Sequence, residues 1–270
     1  MLVALLQKQR VEATAAQRGV QYFCPGCGAA VILKRGRKVC AHFAHKSSTI
    51  CAGSRGETRA HLALKTLIAR ALRERGLRVE PEYTIGNVSW ERRADVMVWA
   101  PVTNTPVAIE LQRSSLSIRE LEARATSYAH MGIAQCWITF LPSGALENAV
   151  QQNETTWRLS RHAPRQHELW IHGQNSHEGA WMADPKTGMF WKAHLKAHEL
   201  IMKEAVWYDM GVDKKYRRPS TRISKRYRDL YLSGPFDLGD LKIKLLETPP
   251  AKTNYFEWPG GKIASFVRQQ

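Results

Sequence analysis

The 270-residue chain lacks any apolar run approaching the roughly 18 residues that a membrane-spanning helix needs. Its apolar N-terminal run, MLVALLQ, is about half as long as a signal-peptide core and has no basic residues before it. Acidic residues are also scarce, with 24 Asp and Glu against 40 Lys and Arg, which leaves a net charge of +16. We therefore expect a soluble, cytoplasmic protein without membrane contact, whose partner is a polyanion and foremost a nucleic acid.

Cysteine is sparse, and its distribution is uneven. There are five cysteines, of which four lie between positions 24 and 51 while Cys136 stands alone. An odd, clustered set in a chain without an export signal favours a metal site over disulfides. Internal repeats and low-complexity tracts are lacking too, whereas 44% hydrophobic residues suffice for a packed core. Changes in composition predict three regions, at residues 1–53, 54–142 and 143–270.

The first region contains a zinc-site motif. A Pro-Gly turn separates Cys24 from Cys27, which lets both sulfur atoms face one ion. Two histidines and a cysteine downstream supply more than the two further ligands that a tetrahedral site requires. A redox-active CxxC pair is the alternative, but the βαβ context of such a motif is missing. The expected ligands of a structural zinc are Cys24, Cys27, His45 and Cys51, with His42 competing for one place.

The middle region has the periodicity of a compact domain of helices and strands. Apolar residues at helical spacing predict a helix that Gly76 ends, and Ser117 with Glu120 predicts a capping box at the start of another. Three β-rich runs lie between the helices, and a fourth follows them. The predicted elements, in order, are a helix over Glu57 to Arg75, strands over Val79 to Ile85, Arg92 to Trp99 and Val107 to Gln112, a helix over Ile118 to His130, and a strand over Cys136 to Phe140.

Two carboxylates are predicted to face each other across the hairpin of the second and third strands. A turn near position 102 pairs positions that sum to 205, which sets Asp95 opposite Glu110. Strand alternation puts Gln112 on the same face as Glu110. Facing acids in apolar strands favour a hard divalent cation such as Mg²⁺ between them. The alternative is ordinary ion pairing with nearby arginines, of Asp95 with Arg92 or Arg93 and of Glu110 with Arg113.

A polar stripe marks the first helix. Glu57, His61 and Lys65 recur four residues apart, so their side chains share one face. If that face meets the hairpin acids, Glu57 completes a metal shell and Lys65 reaches a phosphate. The competing interpretation is that Ser54 and Glu57 form a capping box and that the stripe faces solvent.

The C-terminal region combines tryptophans with a basic run. From position 214 to 228, eight of fifteen residues are Lys or Arg and none is acidic. Cations interleaved with tyrosines are typical of a surface that follows a nucleic-acid backbone, although such runs are also common in solvated loops. Upstream, the sequence predicts a small β-rich unit around the tryptophans and a helix from Lys192 to Met202. The candidate DNA-binding residues are Lys214, Lys215, Arg217, Arg218, Arg222, Lys225, Arg226 and Arg228.

Five motifs occur in succession within residues 1–142. They are Phe23-Cys24-Pro25-x-Cys27, His42-Phe43-Ala44-His45, Glu57-x-x-x-His61-x-x-x-Lys65, Arg93-Ala94-Asp95-Val96 and Ile109-Glu110-Leu111-Gln112-x-Ser114. This succession resembles the competence protein CoiA family, whose central domain is similar to the PD-(D/E)xK nucleases with their αβββαβ core. The combination is specific, although each motif alone is not.

The resemblance implies a fold, a metal and a set of roles. The fold class would be α+β, with an N-terminal zinc-binding module, a central αβββαβ restriction-endonuclease-like domain and a smaller basic C-terminal region. Asp95 and Glu110 would hold a catalytic Mg²⁺ or Mn²⁺, and Glu57 corresponds to the acid of the first helix. The usual lysine two residues after the second acid is Gln112 here, which can orient water or phosphate but carries no charge. Lys65 is the candidate replacement.

The expected function is competence-related, metal-dependent hydrolysis of DNA phosphodiester bonds. Expected partners are single- or double-stranded DNA and recombination proteins, without a small-molecule cofactor. The alternative is a catalytically inactive adapter that binds DNA for recombination proteins on a nuclease-like fold. Gln112 favours the adapter, whereas the presence of both hairpin acids favours the enzyme. RNA is a third substrate to consider, because backbone contacts alone do not distinguish the two polymers.

Overall fold

The computed structural model of the chain describes residues 1–46, 51, 57–86, 93–113, 116–175, 178–209 and 213–268, and the side chains of 206–215 fall outside that description. The protein has the mixed α+β fold class that the sequence predicts. Within these ranges, none of the helices is both long and apolar enough to cross a membrane. Two larger sheets organise the chain, a small one at the N-terminus and a large one through the rest.

The N-terminal residues form a five-stranded antiparallel sheet. Its strands are β1 (Val3–Leu6), β2 (Gln9–Glu12), β3 (Tyr22–Phe23), β4 (Ala30–Lys34) and β5 (His42–His45), in the spatial order β2-β1-β3-β4-β5. In its core the rings of Tyr22 and Phe43 lie 5.0 Å apart, and Cys24 and Cys51 are buried beside them. A core of this size contributes little burial energy, and small modules of this kind commonly depend on a bound metal.

The central residues fold in the predicted order of helix, three strands, helix and strand. Helix α1 begins later than predicted because Thr58 caps it, its hydroxyl accepting a hydrogen bond from the His61 N–H at 3.3 Å. Ser54, the cap considered from the sequence, lies outside the described residues. The capping box of Ser117 and Glu120 is confirmed. The central elements are α1 (Arg59–Glu74), β6 (Val79–Thr84), β7 (Arg93–Trp99), β8 (Pro106–Gln112), α2 (Ile118–His130) and β9 (Ala134–Phe140).

The two central helices pack on opposite faces of this sheet. Ile68 of α1 shares a buried cluster with Val96 of β7, whereas Ala125 of α2 shares another with Met97. Because successive side chains of a strand point to opposite faces, β7 and β8 are apolar on both sides. A carboxylate in either strand is therefore removed from water and needs a partner.

The hairpin of β7 and β8 has the predicted register. Val96 pairs with Ile109, and this pair and the three that follow it each sum to 205. The ladder ends at Val96 and Ile109, and the next positions in the same register are Asp95 and Glu110. Both acids thus lie where the pairing of the two strands stops.

The C-terminal residues extend the large sheet. Their elements are β10 (Val150–Asn153), β11 (Thr156–His162), α3 (Gln166–Gln174), β12 (Ala180–Ala183), β13 (Phe190–Met202), β14 (Ala205–Asp209), β15 (Asp213–Arg217), β16 (Ser220–Phe236), β17 (Leu241–Thr248), β18 (Ala251–Lys252), β19 (Glu257–Trp258) and β20 (Gly261–Arg268). The spatial order is β10-β11-β16-β13-β12-β9-β8-β7-β6, and β20, paired with β17, joins β9 beside β12. The region boundaries at 53 and 142 stay predictions. The sheet, however, is continuous across residue 142.

Two local predictions in the C-terminal region are wrong. The helix expected from Lys192 to Met202 is part of strand β13. The four-residue spacing of His194 and His198 is even, so it fits one face of a strand as well as one face of a helix. The segment around Trp170, expected in a β-rich unit, is helix α3.

A chain that ends at residue 142 tests how far the C-terminal strands belong to the central fold. This fragment lacks β12 and β20, which flank β9, and loses Phe190 and Phe266 from the core beneath α1. We expect it to expose apolar surface and to unfold in urea without a cooperative transition. Circular dichroism and fluorescence would follow it beside the full chain. A sharp transition with a native near-UV signal in the fragment would contradict this expectation.

Candidate functional site

Three cysteines and one histidine come together in the N-terminal module. The ligand atoms of Cys24, Cys27, His45 and Cys51 all lie within 4.8 Å of one another. The Sγ atoms of Cys24 and Cys51 are 4.0 Å apart, and Sγ of Cys27 is 3.3 Å from Nε2 of His45. Three sulfur atoms and one imidazole nitrogen at this spacing suit a tetrahedral ion such as zinc. The cluster can therefore bind a metal.

His42, considered as a competing ligand, lies outside this cluster. Its Nδ1 is 2.9 Å from the carbonyl oxygen of Cys40. His42 and His45 are three residues apart on β5, so their side chains point to opposite faces of the strand.

Protonation differs among the clustered side chains. Burial raises the pKa of the Cys24 thiol to about 11. Burial acts in the same direction on Cys27, but hydrogen bonds from the Ala29 backbone and from the thiols of Cys51 and Cys24 lower the pKa of Cys27 below its ordinary value. Burial, with the charge of the amino terminus, lowers the pKa of His45. The imidazole of His45 is thus neutral near pH 7 and has a lone pair for a metal.

Asp95 takes its partners from two directions at the end of the hairpin ladder. Its Oδ2 accepts hydrogen bonds from His61, in the Nε2–H form, at 3.0 Å and from the Leu111 N–H at 2.9 Å. Its Oδ1 is 3.8 Å from the Lys65 ammonium. Burial alone would raise the pKa of Asp95, but His61, Lys65 and the Leu111 N–H together hold that pKa well below its usual range. Asp95 is therefore ionised at neutral pH.

Lys65 is fully buried on α1, with carboxylates around its ammonium group. Nζ of Lys65 donates to Oε1 of Glu82 at 2.6 Å and also contacts the carboxylate of Glu57. Burial alone would lower the pKa of Lys65, but the charges of Glu82, Asp95 and Glu57 raise it. Lys65 consequently stays protonated and joins α1 to β6 and β7.

Glu82 extends this network towards the N-terminal sheet. Its Oε2 accepts hydrogen bonds from the Val3 N–H at 3.2 Å and from Arg93 at 3.3 Å. Burial alone would raise the pKa of Glu82, but Lys65 and Arg93 hold that pKa far below its usual range. The carboxylate is 1% exposed, so its charge depends on these partners.

Glu110 finds its partners on the other helix, α2. Its Oε2 is 2.5 Å from Nη1 of Arg124, and the hydroxyl of Tyr128 donates to its Oε1. Arg124 and Tyr128 are four residues apart, so one face of α2 presents both of them. Burial raises the pKa of Glu110; Arg124 opposes this effect, and the negative charge of Asp95 adds to it. The two hairpin acids therefore repel each other electrostatically.

Three of the five predicted catalytic residues are joined by charged contacts, and Glu110 is paired separately with α2. Glu57 contacts Lys65, Lys65 lies beside Asp95, and the charges of Asp95 and Glu110 interact. Gln112 is buried at the end of β8, in register with Thr139 of β9. The ion pairs considered as the alternative differ from those observed: Glu110 pairs with Arg124 and Arg93 pairs with Glu82, while Arg92 lies outside the described residues.

Sequence reasoning missed three partners of these residues. Glu82 is one of two acids in β6, beside Glu80, and the strand gives no signal of which acid is buried. Arg124 and Tyr128 are a four-residue pair beside Leu121 and Ala125, on the buried face of α2, which was a readable signal. That signal does not name the partner, because the contacts join elements that are distant in sequence.

The carboxylate oxygens of Asp95 and Glu110 have unused lone pairs, which fit a hard cation. A carboxylate offers about four acceptor positions. Within the described parts of the chain, Glu110 accepts one hydrogen bond on each oxygen, and Oδ1 of Asp95 accepts none. Carboxylate oxygens are the ligands that Mg²⁺ prefers. A cation between the two acids would also relieve the repulsion that adds to the raised pKa of Glu110.

The predicted DNA-binding residues lie on strands and their ends rather than in a solvated loop. Arg217 ends β15, and β16 begins at Ser220. The side chains of Lys214 and Lys215 fall outside the description. Arg228 points back to the protein and donates to the carbonyl oxygen of Ser224 at 2.9 Å. The exposed members of the set are Arg218, Arg222, Lys225 and Arg226.

Comparison with known proteins agrees with this arrangement. The family model of the competence protein CoiA N-terminal domain matches residues 5–54, and that of the CoiA nuclease-like domain matches residues 57–202. The second match covers more than half of the chain and defines a nuclease-like protein. The chain belongs to the competence protein CoiA family. No match was found among curated proteins or solved structures.

Metal content tests the cysteine–histidine cluster. We expect purified protein to contain about one zinc per chain, since four ligands complete a closed tetrahedral site. Cys51→Ser should lose the metal and destabilise the N-terminal module, because metal binding contributes directly to the folding of such modules. Elemental analysis and thermal unfolding with and without chelator would measure both effects. Cys40→Ser, outside the cluster, is the control, and equal loss of metal in both variants would reject the ligand assignment.

Replacing Lys65 tests the buried ion network. Lys65→Met leaves Glu57 and Glu82 without their shared cation, and we expect it to lower the free energy of unfolding at pH 7 by about 3–5 kcal/mol. The pKa of Glu82 is depressed in the folded protein, so its contribution is present above the unfolded value of about 4.3 and is lost as the pH falls. The difference between wild type and variant should therefore shrink in acid.

Urea unfolding at neutral and acidic pH would measure this difference. Arg70→Met is the matched control on the same helix, because Arg70 is 71% exposed and its pair with Glu74 is a surface contact. A loss in Lys65→Met no larger than in the control, or a loss independent of pH, would contradict the role of Lys65.

Proposed function

We propose that this protein is a divalent-metal-dependent DNA nuclease that acts on DNA handled during competence and recombination. The observation that carries the proposal is the position of Asp95 and Glu110. They are the next two positions in register after Val96 and Ile109, the last pair of the β7–β8 ladder. Each has a carboxylate oxygen with acceptor capacity left, although Asp95 is paired with side chains of α1 and Glu110 with side chains of α2. The membership in a family with a nuclease-like domain supports the same function.

Asp95 and Glu110 would hold the Mg²⁺ or Mn²⁺ ion. When bound, such an ion activates water and neutralises charge that develops on the phosphodiester oxygens. Asp95 is suited to this role because Lys65 and His61 keep it ionised. Glu110, which is paired with Arg124 in the structure, would be the second ligand.

Gln112 and Lys65 together replace the lysine that usually follows the second acid by two residues in the PD-(D/E)xK nucleases. Gln112 lies two residues beyond Glu110, on the same face of β8 by strand alternation, and its amide can orient water or a phosphate oxygen. Lys65 supplies the positive charge beside Asp95, 3.8 Å from Oδ1. Glu57 acts through Lys65, since it contacts the ammonium group.

Zinc in the N-terminal cluster would have a structural role. Its four ligands leave no open coordination position for a substrate. The N-terminal sheet contacts the charged network around Lys65 through the Val3 N–H, which donates to Glu82. Folding of the module around zinc would therefore also support the network around Lys65.

A second candidate function is a catalytically inactive adapter that binds DNA for recombination proteins. The observation in its favour is that Glu110 is already satisfied by Arg124 and Tyr128. In addition, within the described ranges, no group of three acidic or histidine ligands forms around Asp95. A fold with this arrangement can bind DNA without cleaving it.

Cleavage of labelled DNA with Mg²⁺ or Mn²⁺ separates the two functions. Asp95→Asn and Glu110→Gln should each lower the cleavage rate by at least about a hundredfold, because each removes a charged ligand from the metal. DNA binding measured without divalent ions should be retained in both variants. Glu74→Gln, an exposed carboxylate on α1, is the control and should cleave at the wild-type rate.

Three outcomes decide between the candidates. Metal-dependent cleavage that both variants lose supports the nuclease. DNA binding without cleavage, whichever metal and strand form is offered, supports the adapter. Cleavage that persists in Asp95→Asn and Glu110→Gln places the activity elsewhere and rejects the assigned site.

A further inference from the structure

A long two-stranded ribbon extends from the large sheet. Met202 of β13 pairs with Ser220 of β16, and Ala205 of β14 pairs with Arg217 of β15, so both pairs sum to 422. The same register continues through β14 and β15, which makes residues 199–209 and 213–223 one antiparallel unit, called the ribbon below. At about 3.4 Å per residue it is roughly 34 Å long.

The ribbon has no third strand beside it within the described residues. Strand β12 pairs with β13 only from Phe190 to Ala193, and β11 pairs with β16 no further than Arg228. An isolated two-stranded ribbon is marginally stable in water. A ribbon of this length is therefore stabilised when a partner covers it.

The exposed surface of the ribbon combines apolar side chains with positive charge. Ile201 is 77% exposed and Ile223 is 67% exposed. Because Ile201 pairs with Thr221 and Glu199 pairs with Ile223, these four side chains share one face. Between positions 199 and 223 the sequence has six Lys or Arg against four Asp or Glu, and Lys225, Arg226 and Arg228 follow directly after the ribbon. The positive charge favours a polyanion as the partner, and the exposed isoleucines favour a partner that also has apolar surface.

We infer that the ribbon binds in the major groove of duplex DNA, with the isoleucine face towards the bases. The major groove is about 12 Å wide and admits a two-stranded ribbon. Ile201, Thr221 and Ile223 would meet thymine methyl groups and the sugar walls, and Glu199 can accept a hydrogen bond from a cytosine amino group. Because the groove is about 8.5 Å deep, phosphates rise on both sides of the ribbon, within reach of long arginine side chains.

Single-stranded nucleic acid is the competing ligand, and the side chains of Trp207 and Tyr208 in the ribbon fall outside the description. Proteins that bind single strands stack bases on exposed aromatic rings. Among the described side chains of the ribbon, the exposed aromatic residue is Tyr216 alone. An RNA duplex is excluded by geometry, because its major groove is too narrow for side chains to enter.

The role of the ribbon rests on the proposed function for its partner, DNA, but it does not require hydrolysis. Binding is therefore measured without divalent ions, by fluorescence anisotropy with a DNA duplex, its single strand and an RNA duplex of the same sequence. Two double variants separate the two kinds of contact. Ile201→Thr with Ile223→Thr keeps β-branched residues and the charge, and Arg218→Ala with Arg222→Ala removes two exposed cations.

The isoleucine variant should bind duplex DNA about tenfold more weakly, with an unchanged salt dependence, because it loses apolar contact. The arginine variant should lower the slope of log affinity against log salt by about 1.8, at about 0.9 per phosphate contact. Ile201→Val with Ile223→Val should bind like wild type, which controls for folding. Lys242→Ala with Lys262→Ala, two exposed lysines of β17 and β20, controls for the change in net charge.

Wild-type affinity of the isoleucine variant for duplex DNA would overturn the groove assignment. Equal losses on the single strand or on the RNA duplex would overturn it as well. Ribbon-dependent binding to duplex DNA in a protein that never cleaves would remove the nuclease proposal and leave this assignment in place.

Discussion

The structure depends on one buried ammonium group. Lys65 is inaccessible to solvent and contacts the carboxylates of Glu57, just before α1, and of Glu82 in β6, with that of Asp95 in β7 at 3.8 Å. A buried charge of either sign is costly without partners, so the lysine and the three acids require one another. Glu82 even adopts a φ of 53°, which is uncommon for a residue with a side chain. This conformation occurs at the residue that contacts both Lys65 and the N-terminal sheet.

This network sets the two hairpin acids apart. Lys65 and His61 depress the pKa of Asp95, whereas burial and the charge of Asp95 raise the pKa of Glu110. Pairs of carboxyl groups whose pKa values are driven in opposite directions are typical of sites with divided roles. Asp95 is the permanent anion of the pair. The pKa of Glu110 is raised by burial and by Asp95 and lowered by Arg124, so it depends on the charges of its neighbours.

The sequence predicted what local rules control. The predicted register of the β7–β8 hairpin is confirmed up to the pair Val96 and Ile109, because register follows from strand pairing across a single turn. The pairing of Asp95 with Glu110 stays a prediction. The cysteine and histidine ligands were found because they lie within a short segment with a knuckle motif. Contacts between distant elements were not predictable: nothing in the spacing of Arg124 and Tyr128 shows that α2 covers Glu110. The helix predicted from Lys192 to Met202 is strand β13, because the four-residue spacing of His194 and His198 fits both the strand and the helix period.

Under the proposed function, cleavage of DNA would depend on whether Glu110 pairs with Arg124 or binds a divalent ion. Tyr128 is 2% exposed and is fixed in the core between α2 and the sheet, so its bond to Glu110 persists in either state. The side chain of Arg124 is 26% exposed, and a long guanidinium at the surface can leave for solvent at modest cost. A divalent ion would need the lone pairs of Oε2 of Glu110, which now accepts from Arg124. The negative charge of Asp95 would also attract such an ion. In this proposal the enzyme and the adapter would share one fold and would differ by the free energy of exchanging one guanidinium for one metal ion.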